Sequence, residues 1–185
     1  MATEEHRIVG LKATRAGDPL ATGATAEGIK EFQEINPPYN GGITVTGTVP
    51  TDTKFFDEGR KNPFFSLRDA STGGTEITWS VANFDTSTRE FYFGSNDAEL
   101  YEGEKAFAFD ANTGETLIFA RLKYVATLSG GINKSDPLQI SVSATMLAPT
   151  TSGRAWDVVK TPTYTSPASP ANASPTSSGS SKSGI

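Results

Sequence analysis

The stretch Glu104-Lys105-Ala106-Phe107-Ala108-Phe109-Asp110-Ala111-Asn112-Thr113-Gly114-Glu115-Thr116-Leu117-Ile118-Phe119-Ala120-Arg121-Leu122-Lys123-Tyr124-Val125-Ala126-Thr127-Leu128 reads as a β-hairpin. Phe107 and Phe109 alternate with small residues on the way in, the period of a strand with one buried face. Ala111-Asn112-Thr113-Gly114 supplies the turn, with Gly114 where a positive φ is needed. On the way back, Leu117, Phe119, Arg121 and Lys123 fall on one side, and Ile118, Ala120, Leu122, Tyr124, Ala126 and Leu128 on the other. This predicts one face that is apolar throughout and another that turns basic partway.

The same period recurs on either side of this hairpin. After Ser129-Gly130-Gly131, the run Pro137 to Leu147 sends Leu138, Ile140, Val142, Ala144 and Met146 inward and Gln139, Ser141, Ser143 and Thr145 outward. Two adjacent strands of ten or more residues exceed the usual five or six, which suggests a sheet shared between subunits. Upstream, Ile43, Val45, Gly47 and Val49 share one face of a half-buried strand and three threonines the other; Ile77, Trp79 and Val81 repeat the pattern. These two strands are expected to pair, with a long excursion between them. Helical signals are sparser. Ile29 and Phe32 stand at i, i+3 among Glu27, Lys30 and Glu31 and predict a short helix over 26–35, ended by Asn36-Pro37-Pro38. A second candidate covers Phe84 to Gly94, with Asp85 or Ser87 as N-cap, Ser87-Thr88-Arg89-Glu90 as a capping box and Gly94 at C′, in competition with a strand over 90–93. The fold expected is mainly β, a β-sandwich or barrel-like domain with one or two short flanking helices and a long inter-strand loop.

One such domain spans 1–160, a length sufficient for a self-sufficient core. From Thr161 to Ile185, 16 of 25 residues are Ser, Thr or Pro. So little apolar area cannot offset about 1–2 kcal/mol of backbone entropy per residue, and 161–185 is expected to be a flexible tail. The formal charge is −5 and Lys182 is the sole charged residue after 160, so the body carries −6. No basic run is present, which argues against gripping nucleic acid through its phosphates. The chain has no cysteine, and hence neither a disulfide framework nor a thiolate site. Met1 to Gly10 lacks an apolar h-region and 18 apolar residues never run together, so the expectation is a soluble chain without a classical secretion signal and without membrane contact.

Catalytic chemistry finds little to use. His6 is the only histidine and sits among charges; there is no nucleophile elbow, P-loop or dinucleotide fingerprint. Asp97, Glu99, Glu102 and Glu104 cluster without EF-hand spacing, as a solvated connection would. Trp79, Tyr92, Phe93 and Tyr101 fit either a core or a sugar-binding face. The expectation is a non-enzyme with no catalytic residue, metal or cofactor.

The excursion is more informative. Residues 54–69 carry two Phe-Phe pairs, Phe55-Phe56 and Phe64-Phe65, framed by Asp57, Arg60, Lys61 and Arg68. Burying four Phe side chains yields about 1.5–3 kcal/mol each, less than ordering the whole segment costs at about 1–2 kcal/mol per residue. Such a loop needs a partner: apolar anchors supply affinity and charges of both signs supply register. The alternative is that the phenylalanines tuck under the parent domain.

In layout the chain resembles the tail tube (major tail) proteins of long-tailed bacteriophages over roughly residues 1–150. The likeness lies in an N-terminal arm, a strand pair bearing a long loop, a short element after Trp79-Ser80-Val81 and a closing pair of long strands. Phe109-Asp110-Ala111-Asn112-Thr113-Gly114-Glu115 leading into Arg121-Leu122-Lys123-Tyr124, then Gly130 to Leu138 and Ile140-Ser141-Val142-Ser143-Ala144, look like the late strands of such proteins. The resemblance implies homo-hexameric rings closed through a continuous sheet and stacked into a tube, with 54–69 as the stacking loop. It implies as partners the tail initiator, terminator and tape-measure proteins, with genomic DNA passing through without specific binding. It places the protein in the virion tail, assembled in the host cytoplasm. An acidic bore suits that passage, and Arg121 and Lys123 would then have to face a partner or the outside. The reading from a different class is a monomeric β-sandwich adhesin or carbohydrate-binding module.

Overall fold

The computed structural model describes residues 8–49, 51–55, 65–69, 74–94, 100–132 and 137–165. In chain order the elements are β1 (Leu11–Gly17), β2 (Gln33–Ile35), β3 (Thr44–Thr48), β4 (Thr51–Phe55), β5 (Phe65–Asp69), β6 (Gly74–Val81), α1 (Thr86–Phe93), β7 (Leu100–Ala111), β8 (Glu115–Ile132), β9 (Pro137–Met146) and β10 (Trp156–Lys160). The molecule is mainly β. Eight strands form one antiparallel sheet in the order β2-β1-β7-β8-β9-β6-β3, with β10 also on β8, and β4–β5 form a separate two-stranded ladder.

The anticipated hairpin is β7–β8, turned at Gly114 with φ +83°. Its return strand, however, does not keep a single alternation. Lys105 faces Leu122 but Phe107 faces Phe119, so β8 carries one extra residue. A bulge of this kind exchanges the faces of everything beyond it. Leu117 and Phe119 therefore lie with Leu122, Tyr124 and Ala126 around one apolar cluster, while Ile118 and Ala120 belong to a second cluster on the opposite face. The expectation of one apolar and one partly basic face is corrected accordingly: in its first half β8 is apolar on both faces.

The bulge is also where the sheet changes neighbours. β10 pairs with Glu115–Phe119 and β9 with Leu122–Ile132, so the two lie end to end along β8. The junction is sealed by backbone bonds: Ala120 N–H donates to Ala155 O, Leu147 N–H to Arg121 O, and Leu20 N–H to Ala120 O. The sheet thus has two halves that share β7 and β8.

The larger cluster occupies one face. Trp79 meets Phe107 and Phe109 edge-on at 5.2 and 5.8 Å and donates its Nε1–H to Tyr92 Oη at 3.2 Å. Tyr92 and Phe93 come from α1, whose N-cap is Asp85, accepting from Thr88 N–H at 2.7 Å, and whose C-cap is Gly94. The helix therefore prevails over the competing strand, because a cap and two buried aromatic anchors both favour it. The smaller cluster, on the other face, holds Ala106, Ala108, Ile118 and Ala120 under Ala24, Ile29 and Phe32. The small side chains let residues 18–32 lie close to the sheet, and Gly17 admits the Phe32 ring where a Cβ would stand 2.4 Å from it.

Two further expectations are corrected. Residues 26–35 form no helix: Lys30 N–H bonds Glu27 O and Phe32 N–H bonds Ile29 O as successive turns, and Gln33–Ile35 is a strand on β1. Ile29 and Phe32 are buried as predicted, but Gly28 weakens a helix there and pairing with β1 takes the backbone bonds. β3 does pair antiparallel with β6, Val45 opposite Ile77, yet it is exposed along its length rather than half-buried, with Val45 at 47% and Val49 at 78%. The alternation is that of a buried strand, but no described residue covers it.

Candidate self-assembly surfaces

The excursion between β3 and β6 forms a hairpin stem. Phe55 stands opposite Phe65, Lys54 opposite Ser66 and Asp52 opposite Arg68. Among the residues expected to mediate contact, the structure thus brings the Phe55 and Phe65 backbones into register and puts Arg68 in the same ladder. Phe56, Asp57, Arg60, Lys61 and Phe64 lie outside the described residues. The stem arises where β3 ends and β6 begins, since Thr48 faces Gly74.

From the opposite end of the same strands another ribbon projects. Among the described residues, β6 follows β9 as far as Val81 opposite Ile140, and β7 follows β8 as far as Leu100 opposite Thr127. β8 and β9 continue together beyond both, with Ser129 opposite Gln139 and Gly131 opposite Pro137. Leu128 and Leu138 stand on the core face of this ribbon, as their alternation predicts, but past the end of the core, so they are 47% and 37% exposed. Ile132 at the tip is 97% exposed. A two-stranded ribbon has little stability of its own, and aliphatic residues held out on one are a feature of contact surfaces.

The long margins of this half of the sheet are bare as well. Among the described residues, β3 has β6 as its one strand partner, and Leu100–Lys105 of β7 pairs only with β8, because β1 joins β7 at Ala106–Ala111. Four antiparallel steps separate β3 from β7, so the two margins run in the same direction. Each offers a row of backbone donors and acceptors without a strand neighbour among the described residues.

Between the margins lies a face rich in hydroxyls. Thr44, Thr78, Ser80, Ser141 and Ser143 stand side by side in register, with Val125 and Thr127 beside them, around a shallow trough of about 510 Å³. The charged side chains on this face are few. Glu76 accepts from Ser143 Oγ at 2.8 Å, Arg121 pairs with Glu104 at 2.8 Å, and Lys123 pairs with Glu102. Glu102 lies close enough to push the Lys123 ammonium above its usual range, first through the hydrogen bond and then through its charge. Two members of the acidic cluster are therefore taken up by neighbouring cations; Asp97, Glu99 and His6 lie outside the described residues.

Away from these surfaces is a buried polar network that the sequence reading did not anticipate. Asp110 Oδ1 accepts from Thr116 Oγ1 at 2.6 Å and from Tyr164 Oη at 2.5 Å, while Oδ2 accepts from Arg15 Nε at 3.3 Å. The Arg15 guanidinium lies 3.8 Å over the Tyr164 ring and reaches Glu34 at 2.8 Å. Burial raises the Tyr164 hydroxyl well above its ordinary range, and the Asp110 carboxylate raises it further. Thr165 N–H donates to Lys30 O at 2.9 Å. Residues 161–165 are thereby strapped onto the body, which corrects the expectation of a flexible tail from Thr161; the remainder of that segment, 166–185, lies outside the described residues. The one sequence signal was Tyr164, an aromatic in an otherwise small and polar segment.

The aromatics that would have made a sugar platform are otherwise engaged: Trp79, Tyr92 and Phe93 are buried, and Tyr101 packs against the core. Among the described residues no group of three or more His, Cys, Asp or Glu could hold a metal ion, and no helix is long and apolar enough to cross a membrane. In comparisons with known proteins, no family model and no curated protein sequence matches the chain.

Proposed function

We propose that this chain is a structural subunit that assembles with copies of itself into rings stacked as a phage tail tube, through which DNA passes. The observation that supports this most is the geometry of the open half of the sheet: two margins running the same way without a strand neighbour among the described residues, and a two-stranded ribbon leaving each of its opposite ends. Rotation about an axis along the strands brings β3 of one copy beside β7 of the next in parallel register. Repeating that step closes a ring, a head-to-tail arrangement that leaves neither margin of the open half unpaired. The hairpins above and below then meet the next ring, β4–β5 with its Phe55–Phe65 pair on one side and the β8–β9 ribbon on the other.

The magnitudes favour closure over a dimer. A margin of five residues forms a handful of backbone hydrogen bonds at about 0.5–1.5 kcal/mol each. Association costs about 4–15 kcal/mol in lost freedom, so a single edge contact is weak. Closing the ring adds one more interface without another association step, and stacking adds the phenylalanines. In this reading the rings are hexameric, the initiator, terminator and tape-measure proteins are the other partners, and the virion tail is the location.

Electron microscopy of the purified protein over a concentration series tests the proposal. Rings or hollow tubes are expected; a persistent monomer that binds a glycan array would sink it. Replacing Phe55, Phe56, Phe64 and Phe65 with Ser is expected to leave a folded chain that no longer stacks, and unchanged polymerisation would remove the hairpin from the contact.

A further inference from the structure

The hydroxyl face carries two cations in a setting where they stabilise the fold very little. Both partners of the Lys123–Glu102 pair are about half exposed, and Arg121 and Glu104 are partly so. Exposed ion pairs of this kind contribute about 0–1 kcal/mol. Their arrangement is nonetheless specific. In register Glu104 faces Lys123 and Glu102 faces Val125, yet Lys123 reaches diagonally to Glu102, which leaves Glu104 to Arg121. The bulge makes this possible, because Phe119 turns into the core just before Arg121 while Arg121 stays on the outer face. Each cation on the face thus has its own carboxylate, and the side chains around them are mostly uncharged Ser and Thr.

We propose that Glu102 and Glu104 mask Lys123 and Arg121 from the phosphates of duplex DNA moving over the hydroxyl face, so that this face presents no free cation to a passing polyanion. The inference rests on the tube reading and on the hydroxyl face being the one turned to the bore, which replaces the expectation that Arg121 and Lys123 face a partner or the outside with one in which their carboxylate partners neutralise them. Every Lys or Arg that neutralises a phosphate adds to affinity, and the logarithm of the binding constant falls with log salt by about 0.9 per contact. Two unmasked cations per subunit, repeated around six subunits, would make the bore adhesive. Paired, they leave a face of net charge −1, counting Glu76, Glu102 and Glu104 against Arg121 and Lys123. The role assigned to Glu102 and Glu104 is that of positioning residues, which act through the cations they hold.

The test uses dilute, unassembled subunit on DNA-cellulose at about 20 mM salt, where charges act over about 20 Å. The unaltered chain is expected to flow through. E102Q/E104Q is expected to elute late, with the delay gone by about 200 mM salt, and adding R121Q/K123Q should restore flow-through. E31Q/E90Q removes two exposed carboxylates elsewhere, with the same change in formal charge, and should flow through. Flow-through of E102Q/E104Q, or an equal delay for E31Q/E90Q, would overturn the proposal. E102Q alone frees only Lys123 from an exposed pair that the fold does not need, so it serves if the double variant fails to fold; a smaller delay is expected and none would again overturn it. Microscopy of the unaltered chain reports on the tube separately. Absence of tubes with a late-eluting E102Q/E104Q would remove the assembly reading and leave the masking intact.

Discussion

β7 and β8 each pass through two environments, and their outward residues differ accordingly. In the half shared with β1 and β10, those positions are Ala106, Ala108, Ile118 and Ala120, buried under residues 18–32 and 161–165. In the half shared with β9, β6 and β3, the same face of the same strands carries Glu102, Glu104, Lys123 and Thr127, and no described residue covers it. The inner face is apolar in both halves. One half is therefore a finished two-sided structure, while the other is finished on one side and open on its outer face, its margins and its two projecting ends. A chain does not need eighteen residues of β8 to stabilise itself when the core ends near Ala126. The surplus is what an assembly would use.

The contrast is broken most forcefully by placing one charge on the same face in each half. Ala108→Glu puts a carboxylate into a fully buried site opposite Arg15, whose guanidinium is already held by Asp110 and Glu34, and is expected to cost more than about 4 kcal/mol or to prevent folding. Thr127→Glu, on the open half, is expected to change stability by less than about 0.5 kcal/mol. Urea denaturation of the two variants checks the pair, and equal losses would show that the outer face of the second half is not free.

The next effect in size concerns the strap. Asp110→Ala removes the acceptor shared by Thr116, Tyr164 and Arg15, and leaves Arg15 with Glu34 as its ion-pair partner. An expected loss of about 3 kcal/mol follows from stranding buried donors and part of an ion pair, a fall in Tm of roughly 6–12 °C for a chain of this size. Tyr164→Phe deletes one of these bonds and should cost about 1 kcal/mol. A Tyr164→Phe variant as damaged as Asp110→Ala would mean that the strap, rather than the carboxylate, organises the covered half.

What the sequence conveyed follows the same division. The β7–β8 hairpin, the β3–β6 pairing and the capped helix were readable because each depends on local signals: alternation, Asn112-Thr113-Gly114, Asp85 with Gly94. The bulge was not, since Ala120-Arg121 has no turn residue and the break is set by where β9 gives way to β10. Alternation in Ile43–Val49 is plain, but an edge strand and a covered strand share that pattern, so it does not encode whether anything packs on top. Ile29 and Phe32 were recognised as core at helical spacing although turns place them there. The Phe-rich excursion stood out by composition. The overhang of Leu128, Ile132 and Leu138 did not, because it depends on how far β6 and β7 extend.

A pH titration reaches the helix that covers the inner face of the open half. Thr88, through its hydroxyl and its backbone N–H, holds the Asp85 carboxyl well below the usual carboxylate range, with Asn36 and Ser87 contributing less. A group with a depressed folded pKa stabilises the fold above its unfolded value, about 3.9, and that contribution is lost as pH falls through the folded pKa. Asp85 is exposed, so the amount is that of an N-cap, about 1 kcal/mol. Asp85→Ala should therefore lower stability by this much at pH 7. The difference from the unaltered chain should shrink only below about pH 4, and a difference that vanished already at pH 6 would assign the effect to another group.

The smallest expected change in stability accompanies a large expected change in behaviour. Leu128, Ile132 and Leu138 meet water, so replacing all three with Ser gives up little buried area within the subunit and should leave the urea midpoint within about 0.5 kcal/mol of its original value. If the β8–β9 ribbon is where stacked copies meet, the same variant should sediment as subunits or single rings at concentrations where the unaltered chain polymerises. Thr127→Ser with Ser143→Ala, on the open hydroxyl face, should leave both properties unchanged. A triple variant that polymerises normally would separate the two projecting ends, leaving the Phe55–Phe65 hairpin as the stacking contact and the overhang of β8 and β9 without a part in it.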